Sequence, residues 1–163
     1  MISGGSRHGN GGVRRLQRGL AAIEFALVFL VLFLFIYGLA TVGSVFYVQQ
    51  AVSRAAEDGA RAALLVNHDI ANNDSRVQTV IYESLASSLV TPASAGTTPA
   101  SRLAWLRTKV TPASFEVNIS NPAQVTVRVT YPYRANPLLP PMPMTRDLIP
   151  NNLLGKAIAS RPS

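Results

Sequence analysis

Residues 25–53 contain no Asp, Glu, Lys or Arg. Crossing the ~30 Å hydrocarbon core of a bilayer takes ~20 predominantly apolar residues in an α-helix. The stretch from Phe25 to about Tyr47 meets that requirement with room for tilt. Phe46 and Tyr47 suit the far interface, where aromatic rings concentrate, and Tyr37 interrupts the apolar run. A cleaved secretory signal is the competing reading. Its apolar core is shorter, ~7–15 residues, and ends at a small-residue cut site. Here the far end continues as an alanine-rich segment, which favours a retained anchor.

Charge gives the orientation. Arg7, Arg14, Arg15 and Arg18 stand before residue 20 with no acid among them, whereas Arg54, Glu57, Asp58 and Arg61 follow the run with mixed sign. The excess of positive charge places the N-terminus in the cytoplasm and the residues after about 48 outside. The net charge of +7 on 163 residues is therefore concentrated in a short head. It is not a groove-lining basic patch with interleaved aromatics, so no nucleic-acid role is expected. Only 14% of residues are charged, against ~25% in a typical soluble chain. With no cysteine, a disulfide framework and a thiolate metal site are both excluded.

The organisation follows from local pattern. Residues 1–19 are glycine-rich and basic, and read as a cytoplasmic leader without a fold. Residues 20–66 read as one long helix, with the span at about 25–47 and no proline to break it. Val48, Val52, Ala55, Gly59, Ala63 and Val66 recur at three- and four-residue steps and form a stripe of small residues. That stripe fits packing on the chain's own domain and packing against neighbouring subunits equally well.

Residues 67–163 read as a small extracytoplasmic α+β domain. Asp74 or Ser75 caps a second helix whose apolar face is Val77, Val80, Ile81, Leu85 and Leu89. Residues 91–101 read as a low-complexity linker, and Leu103–Val110, with the lone Trp105, fits no single pattern. Phe115, Val117 and Ile119, then Val125, Val127, Val129 and Tyr131, alternate with polar residues on either side of the turn Asn121-Pro122-Ala123-Gln124. That is an antiparallel β-hairpin, and Pro132 either ends its second strand or puts it on an edge. Residues 134–150 are proline-rich and extended, and about Asn152–Ala159 a short amphipathic helix is expected to close the domain.

One acid stands inside the apolar segment. Arg18-Gly19-Leu20-Ala21-Ala22-Ile23-Glu24-Phe25 places a basic residue, a glycine, and a hydrophobic run with Glu at its fifth position. By itself Glu24 fits a cytoplasmic interface near the positive end of the helix dipole. The whole octapeptide, however, resembles the processing site of type IV-like prepilins. With Phe46-Tyr47-Val48-Gln49-Gln50-Ala51 and Ala55-Ala56-Glu57-Asp58-Gly59-Ala60-Arg61-Ala62-Ala63 it is similar to the TadE-like family of tight-adherence (Flp) pilus proteins. The resemblance covers roughly residues 17–63. It departs where Asp58 separates Glu57 from Gly59, and the leader is longer than the family minimum.

The resemblance implies a minor pilin or pseudopilin of the bacterial inner membrane or of the pilus itself, with its C-terminal domain in the periplasm or outside the cell. It implies cleavage between Gly19 and Leu20 by a membrane-embedded prepilin peptidase. It also implies that Glu24, beside Phe25, acts in recognition and assembly with other pilin-like subunits and the pilus machinery. The alternative is an unprocessed single-pass anchor presenting a periplasmic binding or regulatory domain. An enzyme is not expected. His8 and His68 fall on opposite sides of the span, Asp69 and Asp74 read as loop and cap residues, and no metalloprotease, nucleophile-elbow or metal-cluster motif appears. No metal or other cofactor is expected.

Overall fold

The computed structural model describes residues 11–66, 73–119, 123–142, 147 and 149–160. Arg7, His8, His68, Asp69, Asn121 and Pro122 lie outside the described residues. The chain divides into two compact units, Met1–Ala40 and Thr41–Ser163.

Helix α1, Gly11–Leu65, runs through both units. It begins within the leader, where no fold was expected. Extending an existing helix fixes one residue per hydrogen bond gained and avoids a new nucleation event. Arg14, Arg15, Leu16, Gln17 and Arg18 are good helix formers and accept that extension. The alanine-rich continuation stays helical to Leu65, as expected.

In the first unit no described residue of α1 is buried, with only Tyr37 and Gly38 partly so. Its most apolar stretch has a mean hydropathy of 2.7 and is wholly unburied, and it is long and apolar enough to cross a membrane. From Leu20 to Ala40, where that unit ends, a helix rises about 31 Å, the thickness of a hydrocarbon core.

The second unit is a helical layer on a three-stranded antiparallel sheet. Helix α2 is Ser75–Ser87. Asp74 is its N-cap, accepting from the Arg76 amide at 2.8 Å. Val77, Ile81 and Leu85 are buried as expected, together with Tyr82 and Ala86. Val80 is only partly buried, and Leu89 is 60% exposed because the helix ends before it. Val90 is buried in its place.

The stretch read as a linker is not structureless. A short 3-10 turn at Ala93–Ala95 leads to helix α3, Pro99–Lys109. Thr98 caps α3 by accepting from the Ser101 amide at 3.2 Å, and Pro99 occupies the first helical position. That position loses nothing by lacking an amide proton. Trp105 therefore lies on a helix, packed against the core.

Strand β1, Phe115–Asn118, pairs antiparallel with β2, Gln124–Tyr131, in the register Phe115 with Val129 and Val117 with Val127. This is the expected hairpin. Strand β3, Leu153–Ser160, pairs on the other side of β2, giving the order β1-β2-β3. The expected C-terminal helix is thus a strand, and β2 is central. Pro132 ends β2 but does not mark an edge. The reason is tertiary. Without β3, the open backbone groups along β2 would have no partner, whereas Leu153, Gly155, Ala157 and Ala159 alternate inward and fit a pleated surface.

Helix α1 packs across the sheet through close approaches at two glycines. A Cβ on Gly59 would stand 2.8 Å from Ile81 Cγ1 and 3.3 Å from Val127 Cγ1. A Cβ on Gly155 would run into the carbonyl oxygen of Val52. Around this seam, Val48, Val52, Ala55, Ala56, Phe115, Val117, Val125, Val129 and Tyr131 are buried in one cluster. Buried hydroxyls are satisfied: Tyr82 donates to the Val110 carbonyl at 2.6 Å and Tyr131 to that of Val90 at 3.0 Å. Tyr82 also meets Phe115 edge-on at 4.7 Å.

Candidate processing and assembly segment

The residues singled out from the sequence stand at the exposed N-terminal end of α1. A Cβ placed on Gly19 would meet nothing within 4 Å, so neither helix packing nor backbone strain requires glycine there. A protease that must seat the chain in its own cleft is a different constraint, and glycine removes the side chain that would obstruct it. Leu20 and Phe25 are 69% and 70% exposed. Glu24 is exposed too, one helical turn after Leu20 and on the same face. Among the described residues the ion pairs are Arg76 with Asp74 and Arg128 with Glu116, and neither involves Glu24.

Beside this acid begins a feature that the sequence reading passed over. Phe25, Phe29, Phe33 and Tyr37 follow at four-residue steps, and their rings stack in series at centroid distances of 6.1, 6.4 and 6.0 Å. The spacing was the available signal, because residues four apart share a helix face. The series gives the exposed helix one flat aromatic side, adjoining Glu24.

The second half of the singled-out region behaves differently. In the alanine-rich stretch, Ala55, Ala56, Gly59, Ala60 and Ala63 face the domain core, so the stripe of small residues packs on the chain's own domain. Of the two readings open for that stripe, contact with α2 and the sheet is the one observed. Gly59 lets Ile81 of α2 and Val127 of β2 approach α1 closely. Arg54, Glu57 and Arg61 point away and are exposed, while Asp58 is part-buried and accepts from Ser84 Oγ at 2.7 Å, tying α1 to α2.

The first turns of the second unit carry a polar node. Thr41 and Ser44 are buried, each 7% exposed. Ser44 Oγ donates to the Thr41 carbonyl at 2.7 Å and lies 2.9 Å from Tyr133 Oη. The Ser44 proton is already committed, so Tyr133 is the donor. The bond fastens the segment after β2 to α1 within one turn of the unit boundary.

Among the described residues no group of His, Cys, Asp or Glu is placed to hold a metal ion. These arrangements offer an exposed apolar helix with one acid near its start, and a helix face locked onto a small α+β domain.

The chain matches no curated protein and no solved structure. The exposed apolar helix and the family match below together support a pilin-like, membrane-associated protein. The match starts at the glycine whose side-chain space is open and ends on the arginine that follows the Gly59 contact: residues 19–61 match the model of the family described as TadE-like protein.

Proposed function

We propose that the chain is a minor pilin or pseudopilin acting in tight-adherence pilus assembly, adhesion or secretion. The observation that carries the reading is the coincidence of the family match, residues 19–61, with an exposed apolar stretch of helix that follows Gly19 and holds a glutamate at the fifth position after it. In this reading residues 1–19 stay in the cytoplasm, the apolar part of α1 crosses the inner membrane and the α+β domain lies outside. A prepilin peptidase cuts between Gly19 and Leu20. The cut frees an amino group on Leu20, one turn from Glu24.

A carboxylate at the centre of a bilayer helix costs ~2.5–3.5 kcal/mol on insertion scales, and less toward an interface. Pairing with the Leu20 amine of an adjacent subunit offsets that cost and fixes the axial position of one helix against the next. Buried polar groups are best attested in such registry roles. Glu24 is therefore an assembly residue, and Phe25 flanks it at the recognition site.

The test is the N-terminal sequence and intact mass of the protein from its native membranes, with and without the peptidase. The expected mature chain begins at Leu20 and appears only with the peptidase. A chain that keeps residues 1–19 under both conditions refutes processing and leaves a plain anchor. Glu24→Ala is expected to insert in the membrane normally and to impair assembly.

A further inference from the structure

Opposite the buried face of α1 between Val48 and Ala63, the side chains of Arg54, Glu57 and Arg61 are exposed. An open groove of about 480 Å³ lies along this side, bounded by Gln49, Ser53, Arg54, Glu57, Asp58 and Arg61, all on α1. Arg54, Glu57 and Arg61 recur at three- and four-residue steps and share one face, with Asp58 at its margin. In order along the helix its charges are positive at Arg54, negative at Glu57 and Asp58, and positive at Arg61. Arg54 with Asp58, and Glu57 with Arg61, have the spacing that often closes ion pairs within a helix. Neither pair is among the ion pairs formed by the described residues. Arg54, Glu57 and Arg61 are exposed, and none of them forms an ion pair among the described residues.

We propose that this face is a contact between copies of the chain, packed parallel and displaced along the helix axis by one turn. The order of charges selects that displacement. With no displacement, each of the four residues faces its own copy and every contact is between like charges. A displacement of three residues brings Glu57 against Arg54 and Arg61 against Asp58. A displacement of four brings Asp58 against Arg54 and Arg61 against Glu57. Either is a shift of about 4.5–6 Å along the axis and turns all facing pairs attractive. A displacement of seven sets Arg61 against Arg54 and is repulsive again. The parallel arrangement rests on the membrane-anchored, pilin-like reading above, which gives every copy the same orientation. Polar residues at helix contacts set register in this manner more than they add affinity.

The chain has no cysteine, so introduced thiols report without background. Two tagged full-length copies, one carrying Glu57→Cys and the other Arg61→Cys, are co-expressed in native membranes and oxidised. Both positions are exposed, so neither variant disturbs the core. In the four-residue displacement the mixed 57–61 cross-link is expected to exceed the 57–57 cross-link severalfold, because Asp58 still meets Arg54 there, whereas zero displacement sets like charges together. High salt, which screens exposed charges, should shrink the ratio. A 57–57 yield equal to or above the mixed yield overturns the displaced register. Absence of both cross-links overturns the contact. In the same membranes, resistance to alkaline extraction and the N-terminal residue of the chain report the anchored, processed state. If these hold while the cross-links fail, only the contact is wrong; if they fail, the pilin-like reading falls first.

Discussion

Gly155 on β3 and Gly59 on α1 both sit where the helix meets the sheet, and replacing each by alanine should give very different results. At Gly155 the new Cβ meets backbone: the Val52 carbonyl oxygen, the Val52 carbonyl carbon at 2.8 Å and Ser53 Cα at 3.0 Å. Ordinary contact needs ~3.5–4.0 Å, so β3 and α1 must separate by about 1 Å, and a gap of that size forfeits a quarter to a half of each facing contact. Overpacking costs typically ~1–3 kcal/mol where side chains can yield. Here they cannot, and the expected loss is at the top of that range, about 3 kcal/mol. At Gly59 the obstacles are the side chains of Ile81 and Val127, with Ile81 Cγ1 nearest at 2.8 Å. Alanine there also recovers ~0.8–1.0 kcal/mol of helix propensity. The net loss expected for Gly59→Ala is about 1 kcal/mol or less. The assay is urea unfolding of the full chain in detergent micelles, followed by the emission of Trp105, the only tryptophan. Gly155→Ala within about 0.5 kcal/mol of the parent, or Gly59→Ala the more damaging of the two, would refute the reasoning.

Three further outcomes are expected. Tyr131→Phe strands the Val90 carbonyl, now bonded at 3.0 Å, and should cost about 1–2 kcal/mol in the same assay. Burial pushes the Tyr131 phenol above its ordinary value of 10.0. The folded chain therefore holds this proton longer than the unfolded one, and the stability is complete below about pH 10 and falls as pH rises past it toward the folded value. Tyr131→Phe should flatten that alkaline limb, and an unchanged limb would reject the assignment. Hydrogen bonds from the Arg76 side chain and amide hold the Asp74 carboxyl below 3.8, so its contribution to capping α2 is present above that pH and lost as pH falls through the lower folded value. Amide exchange at Val77 and Gln78 should accelerate there and not in Asp74→Asn, whose side chain still accepts but does not titrate.

Much of the fold was legible because its signals were local. The Asp74 cap, the Val77–Ile81–Leu85 face and the alternation in 115–131 each require only their own neighbourhood. The Thr98-Pro99 pair was equally local, and it was hidden only by the small residues around it. Strand β3 was not local. Leu153, Leu154, Lys156, Ala157 and Ile158 fit a short amphipathic helix as well as a strand, and the choice is made by the vacant side of β2, far away in sequence. The same holds for the stripe on α1. Small residues at helical spacing say that something approaches closely, and only the fold says that it is Ile81 and Val127. In the processing segment, the spacing of Gly19 and Glu24 is legible from sequence, whereas the aromatic series beginning at Phe25 drew notice only once its rings were seen stacked.

Asn73 sits beside Val117 of β1 with its backbone at a φ of 61°. Its amide donates to the Val117 carbonyl at 3.3 Å and its side-chain oxygen accepts from the Val117 amide at 2.9 Å. One residue thus answers both outward-facing groups at the middle of that strand, as a neighbouring strand would. Along the opposite border of the sheet, Lys156 sets an exposed charge in the middle of β3. Unguarded borders invite strands from other chains, and the hazard grows with crowding. A subunit held at high density in a membrane plane would meet its own kind edge to edge more often than a dilute protein does. With one border stoppered and the other charged, runaway sheet growth is suppressed.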